Sequence, residues 1–139
     1  MATWHAGRLI DHVHLRCTDL DATEKFYAAI LKAIGHPGGW RTPNAIQADE
    51  LYISPVDPSE DIPPTHIHLA FQAKDRETVV RFYNAAIAAG GTNNGMPGER
   101  EYHPGYYAAF VLDPDGNNIE AVYHGPSTRS ADSVAIEPG

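Results

Sequence analysis

From Leu9 to Cys17 apolar and polar positions alternate: Leu9, Val13, Leu15 and Cys17 fall on one face, His12, His14 and Arg16 on the other. A period of two predicts a strand with one apolar and one polar face. Phe26, Ala29, Ile30, Ala33 and Ile34 then recur at helical spacing and predict a helix over 21–34. Asp19 is placed to cap it and Gly35 to end it. This helix is expected to lie on the apolar face of the strand before it. Weaker alternation predicts short strands at 45–48 and 50–54, with Leu51 and Ile53 turned inward. Residues 56–64 form a proline-rich acidic connector. Beyond it Ile67, Leu69, Phe71 and Ala73 make the apolar face of another strand, and His66, His68, Ala70 and Gln72 its other face. Val79, Phe82, Tyr83, Ala86 and Ile87 predict a second helix over 75–89, closed by Gly90 and Gly91. The run from Asn93 to Gly98 is rich in turn residues and is expected to be a mobile loop over a site. Two β-prone runs, 106–112 and 117–123, flank Asp113-Pro114-Asp115-Gly116-Asn117, a hairpin signal. A tip at 114–116 sets Phe110 opposite Glu120, with Tyr106 and Ala108 on the same face.

The order strand, helix, strands occurs twice. A shift of 56 residues carries His12 onto His68, Asp19 onto Asp75, Phe26-Tyr27 onto Phe82-Tyr83 and Gly35 onto Gly91. Two copies are too few for a solenoid, so the repeat predicts one domain of two related halves, about 9–58 and 65–124. Residues 1–8 read as a flexible arm. Residues 125–139, rich in Pro, Ser, Thr and Asp without periodicity, read as a disordered tail.

Composition narrows the function classes. The chain has 139 residues, 42% of them hydrophobic, and a formal net charge of -8 with no Lys/Arg cluster. That balance disfavours nucleic acid or an anionic membrane as partner. No apolar run reaches membrane-spanning length, and the first residues lack a signal-peptide pattern. A single cysteine, Cys17, on an apolar face, fits a core residue in a reducing compartment, and the cytoplasm is the expected location.

His12 and His68 both lie opposite the apolar stripe of their strands. If the two polar faces line a common cup, two imidazoles meet there, and imidazole is the commonest divalent-metal ligand near neutral pH. Glu120 adds a carboxylate from the last strand. Two histidines and one carboxylate leave coordination positions open, as catalytic sites need. A single strand histidine is more often a solvated residue; the repeated position is what favours His12 and His68. His14 and His66 have no histidine counterpart under the shift and are read as wall residues. His103 and His124 read as exposed loop residues, and the Phe-Tyr pair of each helix as core.

Asp11-His12-Val13-His14-Leu15-Arg16 with Asp19-Leu20 and Phe26-Tyr27, the run His66–Phe71, and the run Phe110–Glu120 together resemble the vicinal oxygen chelate superfamily. That superfamily includes glyoxalase I, extradiol dioxygenases, and fosfomycin- and bleomycin-resistance proteins. The resemblance spans Leu9 to His124 and implies an α+β fold of two tandem βαβββ modules forming a cupped mixed sheet, and a homodimer. It implies His12, His68 and Glu120 as metal ligands. Glyoxalase I-like members carry a second glutamate in the first half; here Tyr52 stands there, with Glu50 two residues earlier. Extradiol dioxygenases need an acid/base histidine and tyrosine, for which His14, His66 and Tyr106 are the candidates.

The expected function is a small metal-dependent lyase, isomerase or dioxygenase. A divalent ion (Zn, Ni, Fe, Mn or Co) would chelate vicinal oxygens of a small-molecule substrate. Glu120 would be a ligand first and a catalytic group second. Tyr52, Tyr106 and Phe110 would line the substrate wall, with His14 and His66 as its polar members. The runner-up is a metal-free protein that binds a small molecule or antibiotic, and a third reading is a duplicated scaffold without activity.

Overall fold

The computed structural model describes residues 3–130 and 133–137. Two βαβββ modules follow one another in the chain. The first runs β2 (Val13–Cys17), α1 (Leu20–Ala33), β3 (Trp40–Thr42), β4 (Ala45–Ala48) and β5 (Leu51–Pro55). The second runs β6 (His68–Gln72), α2 (Arg76–Ala88), β7 (Thr92–Glu99), β8 (Tyr107–Leu112) and β9 (Asn118–Tyr123). Each module makes a four-stranded sheet of the same pattern, β2-β5-β4-β3 and β6-β9-β8-β7. In both, the first pair is parallel and the others antiparallel. A parallel neighbour needs a crossover, and the helix of each module lies within it.

The chain divides into two compact units that interleave along the sequence. One comprises residues 1–20, 39–64 and 128–139, the other 21–38 and 65–127. In the first, Leu15 and Cys17 of β2 lie buried beside Ile53 and Pro55 of the parallel β5, with Ala45, Ala48 and Leu51 also buried. In the second, Ile119, Ala121, Ala109 and Val111 are buried on one sheet face and Ala108, Glu120 and Val122 on the other, with Val79, Phe82 and Ala86 of α2 buried as well. Helix α1 belongs to this second unit: Phe26, Tyr27 and Ile30 are buried. The Tyr27 hydroxyl donates to Asp113 at 2.6 Å, and a Cβ on Gly91 would stand 2.7 Å from the Phe26 ring. The simple expectation that α1 serves the strand before it therefore misses its partners in the second half. Each fully buried phenylalanine contributes about 1.5–3 kcal/mol relative to exposure, so the helix is held by its aromatic pair.

Three expectations are corrected. Strand β2 begins at Val13, and Leu9 is 91% exposed, because the alternation is cut by a loop in which the Gly7 amide donates to the Ile10 carbonyl. The segment expected as a mobile loop at 93–98 is strand β7; its turn residues serve two register shifts against β8. The expected arm and tail hold a strand pair, β1 (Trp4–Ala6) antiparallel to β10 (Val134–Ile136), with His5 Nδ1 2.6 Å from Ser133 Oγ. Three-residue strands are too short to leave a period in the sequence.

Candidate functional site

The second sheet offers the most developed site. Its helix-free face crosses the strands in rows, because paired residues point the same way. One row reads Ala70, Glu120, Phe110, Gly95 across β6, β9, β8 and β7. The hairpin that fixes this register is the Asp113–Asn117 turn. Asp113 accepts the amides of Asp115 and Asn117, the Asn117 side-chain amide and the Tyr27 hydroxyl, while Asn117 Oδ1 accepts from the Ile67 amide at the entrance to β6. The turn thus aligns β6, β8 and β9 at once.

Glu120 is only 1% exposed. A carboxylate taken from water loses several kcal/mol of solvation unless charge or hydrogen bonds replace it. Here His68 Nε2 lies 2.7 Å from Glu120 Oε1, and the Tyr106 hydroxyl donates to Oε2. Burial first, then the hydrogen bond to the carboxylate, raises the Tyr106 phenol well above its ordinary range, so the phenol stays protonated and a donor. Phe110 packs at 5.9 Å, ring centre to ring centre, from His68. His68, Glu120, Tyr106 and Phe110, four of the residues singled out in the sequence, thus stand together.

His14 and Tyr52 are paired across β2 and β5 in the first unit, their rings 4.8 Å apart, and His14 Nε2 is 2.7 Å from Ser54 Oγ. Burial first, then Arg16 and His12, lowers the His14 pKa, which favours neutral imidazole. His12, exposed and just ahead of β2, has Nδ1 2.8 Å from Asp11. His66 is exposed ahead of β6. The repeat is visible in the pairing: Ala70 pairs with Glu120, and His14, 56 residues before Ala70, pairs with Tyr52. Tyr52 is therefore the register counterpart of Glu120, and Glu50 lies outside β5. Glu50 is placed beside Gly7, whose Cβ would stand 3.4 Å from its Oε2.

Sequence reasoning missed three features. Ser54 was visible only as a strand residue. His103 Nε2 and His124 Nδ1 meet at 2.8 Å with stacked rings, a pairing across 21 residues that no local pattern marks. The Arg100 guanidinium sits over the Phe110 ring.

A divalent ion can be tested against the donor set. His68 Nε2 and Glu120 Oε1 are in direct hydrogen bond at 2.7 Å, and an imidazole nitrogen with a carboxylate oxygen is a donor combination that divalent ions take. The pair fits two positions of such a site. Among the described residues no group of three or more His, Cys, Asp or Glu is placed to hold a metal ion.

Comparison with known proteins bears on the chain as a whole. The family profile described as the Glyoxalase/Bleomycin resistance protein/Dioxygenase superfamily matches residues 9–121. A glyoxalase/bleomycin resistance protein from Albidiferax ferrireducens T118 is 32% identical, with a TM-score of 0.66, over 81% of this chain and 96% of its own. A glyoxalase/bleomycin resistance protein/dioxygenase family enzyme from Burkholderia phytofirmans PsJN is 23% identical with a TM-score of 0.59, over 81% and 96%. Lactoylglutathione lyase from Agrobacterium tumefaciens is 21% identical with a TM-score of 0.56, over 84% and 93%. The last two share the fold. No curated protein matches the chain. No helix among the described residues is long and apolar enough to cross a membrane. With two βαβββ modules in tandem and a profile match over most of its length, this chain belongs to the Glyoxalase/Bleomycin resistance protein/Dioxygenase superfamily.

Proposed function

We propose that this protein is a small metal-dependent enzyme, a lyase, isomerase or dioxygenase, acting on a substrate with two neighbouring oxygens. The observation that carries the reading is the buried Glu120 carboxylate set between His68 Nε2 and the Tyr106 hydroxyl on the helix-free face of the second sheet. His68 and Glu120 would hold a divalent ion, Zn, Ni, Fe, Mn or Co, and His12 is the third ligand that family membership suggests. Such an ion supplies Lewis-acid stabilisation of a developing oxyanion. The chain's own groups do the rest. The Tyr106 hydroxyl keeps Glu120 oriented by donating to Oε2, leaving Oε1 for the cation. Phe110 offers an apolar floor that excludes water beside the reacting oxygens. His14, with its pKa lowered, is a candidate proton acceptor, and Tyr52 and His66 are candidate wall residues. A homodimer in the cytoplasm, with neither nucleic acid nor membrane as partner, completes the proposal.

A second reading has its own support. Both Glu120 oxygens have hydrogen-bond partners within the chain, His68 and Tyr106, which supports reading the same face as a pocket for a small molecule or antibiotic. Elemental analysis of protein purified without an affinity tag separates the two. The enzyme reading expects about one divalent ion per chain and a melting temperature lowered by a chelator, since a ligand of the native state alone stabilises it. His68→Ala should remove that response, while His14→Ala should keep it. Metal-free protein whose melting point ignores added divalent ions would leave the binding-protein reading.

A further inference from the structure

The helix-free face of the second sheet carries a cation that the reading above leaves unused. Arg100 follows β7 and folds back across it: Nη2 donates to the Met96 carbonyl at 2.7 Å and Nη1 to the Glu99 carbonyl at 3.2 Å. Its guanidinium lies over the Phe110 ring, 5.3 Å from the ring centre. The strand makes room for it. A Cβ on Gly95 would stand 2.9 Å from the Phe110 ring and 3.3 Å from Nη2, and one on Gly98 would stand 3.0 Å from Nη1. Both glycines flank the register shifts of β7, so the irregularity of the strand and the seat of the guanidinium coincide.

What the guanidinium lacks is an anion. The chain has 18 Asp and Glu against 10 Lys and Arg, and Arg76 has Glu99 at 2.7 Å. Among the described residues no carboxylate pairs with Arg100. A guanidinium has five N–H donors in a planar fork suited to a carboxylate, and the two carbonyl bonds leave the others free for one. Phe110 separates two functional ends, with the His68 ring 5.9 Å away on one side and the Arg100 guanidinium 5.3 Å away on the other. A chain of net charge -8 repels anions at long range, so a seated local cation is what would admit one.

We propose that Arg100 is a substrate-binding residue that takes the carboxylate of an anionic substrate whose apolar middle rests on Phe110. This deepens the functional reading above and rests on its placing of substrate on this face. The substrate class is then a carboxylic acid with a hydrophobic or aromatic segment between the acid group and the end that meets Glu120.

The test is a pair of titrations followed by 1H–15N NMR on the full chain, with a chelator present, using 3-phenylpropionate and 3-phenylpropanamide as probes. The acid is expected to bind about tenfold tighter than the amide, the scale of one charge-assisted bidentate contact. The extra shifts should centre on the Arg100 side-chain Nε–H and the Gly95 and Gly98 amides. Arg100→Gln should erase the preference for the acid, bringing the two affinities to within about twofold of each other. Equal affinities, no binding of either probe, or a preference that survives Arg100→Gln would each overturn the proposal. Should that variant fail to fold, the wild-type footprint decides, and acid-specific shifts away from Arg100 overturn it. With the chelator present these titrations read Arg100 independently of any metal: loss of the acid preference overturns only this proposal, while the metal reading stands or falls on elemental analysis of the untreated protein.

Discussion

Asp113 organises more of the second unit than any group on its functional face. It gathers a helix hydroxyl, two backbone amides and a side-chain amide, while lying 7% exposed. Removing it leaves several buried donors without acceptors, each costing roughly 1–3 kcal/mol. Asp113→Ala should therefore destabilise by about 2–4 kcal/mol in urea titration, and Tyr27→Phe by about 1 kcal/mol. Glu120→Gln is a different case. It keeps the side chain's shape and an oxygen for the Tyr106 hydroxyl, so the melting point should move little while metal uptake, measured by elemental analysis, is lost. Both residues were legible in the sequence, one as a turn, the other as an acid on a strand face. The role of Tyr106 as donor to that acid was not, since the face was predictable from alternation but the reach of the ring was not. Arg100 left no signal at all, because a charged residue at the end of a strand is ordinary surface.

At the scale of elements, β7 shows where composition misleads. Asn, Gly and Pro within 93–98 read as a loop, yet they form a strand whose glycines yield space to Phe110 and Arg100. Gly95→Ala should cost about 1–3 kcal/mol through overpacking and backbone strain at a φ of +155°. Helix α2, by contrast, follows its signals closely. Asp75 is the N-cap, accepting from the Thr78 amide at 2.7 Å and the Thr78 hydroxyl at 2.6 Å. The Thr78 hydroxyl first, then its amide, holds the Asp75 pKa below the ordinary carboxylate value. A depressed folded pKa gives stability that is present above the unfolded value, about 3.9, and is lost as pH falls through the folded one. The melting-point gap between wild type and Asp75→Ala should accordingly be open at pH 7 and narrow below about pH 4. The twice-occurring strand–helix–strands order was readable because helices and central strands carry periods long enough to register, whereas β1, β3 and β10 span three residues each.

For the molecule as a whole, duplication in sequence does not mean two separable halves. The strand order is repeated, but α1, encoded in the first module, is grouped with the second unit through Phe26 and Tyr27. A fragment of residues 65–127 would lack that helix and uncover apolar surface, so it should show collapsed amide dispersion by NMR where the full chain shows a folded spectrum. The chemistry is also unequal: Glu120 in one sheet answers to Tyr52 in the other. The proposed homodimer is testable by sedimentation, with a mass near twice 15.2 kDa expected.

The pairing of Trp4–Ala6 with Val134–Ile136 sets the beginning and the end of the described chain side by side. Neighbouring ends of this kind are what circular permutation requires. A short Gly/Ser splice across β1 and β10, with new ends opened among the exposed residues Asp57–Asp61, would yield a permuted protein in which β6 comes first. A cooperative melt of that permuted protein is the expected outcome, since every strand pairing would be kept while the chain order of the two repeats is exchanged.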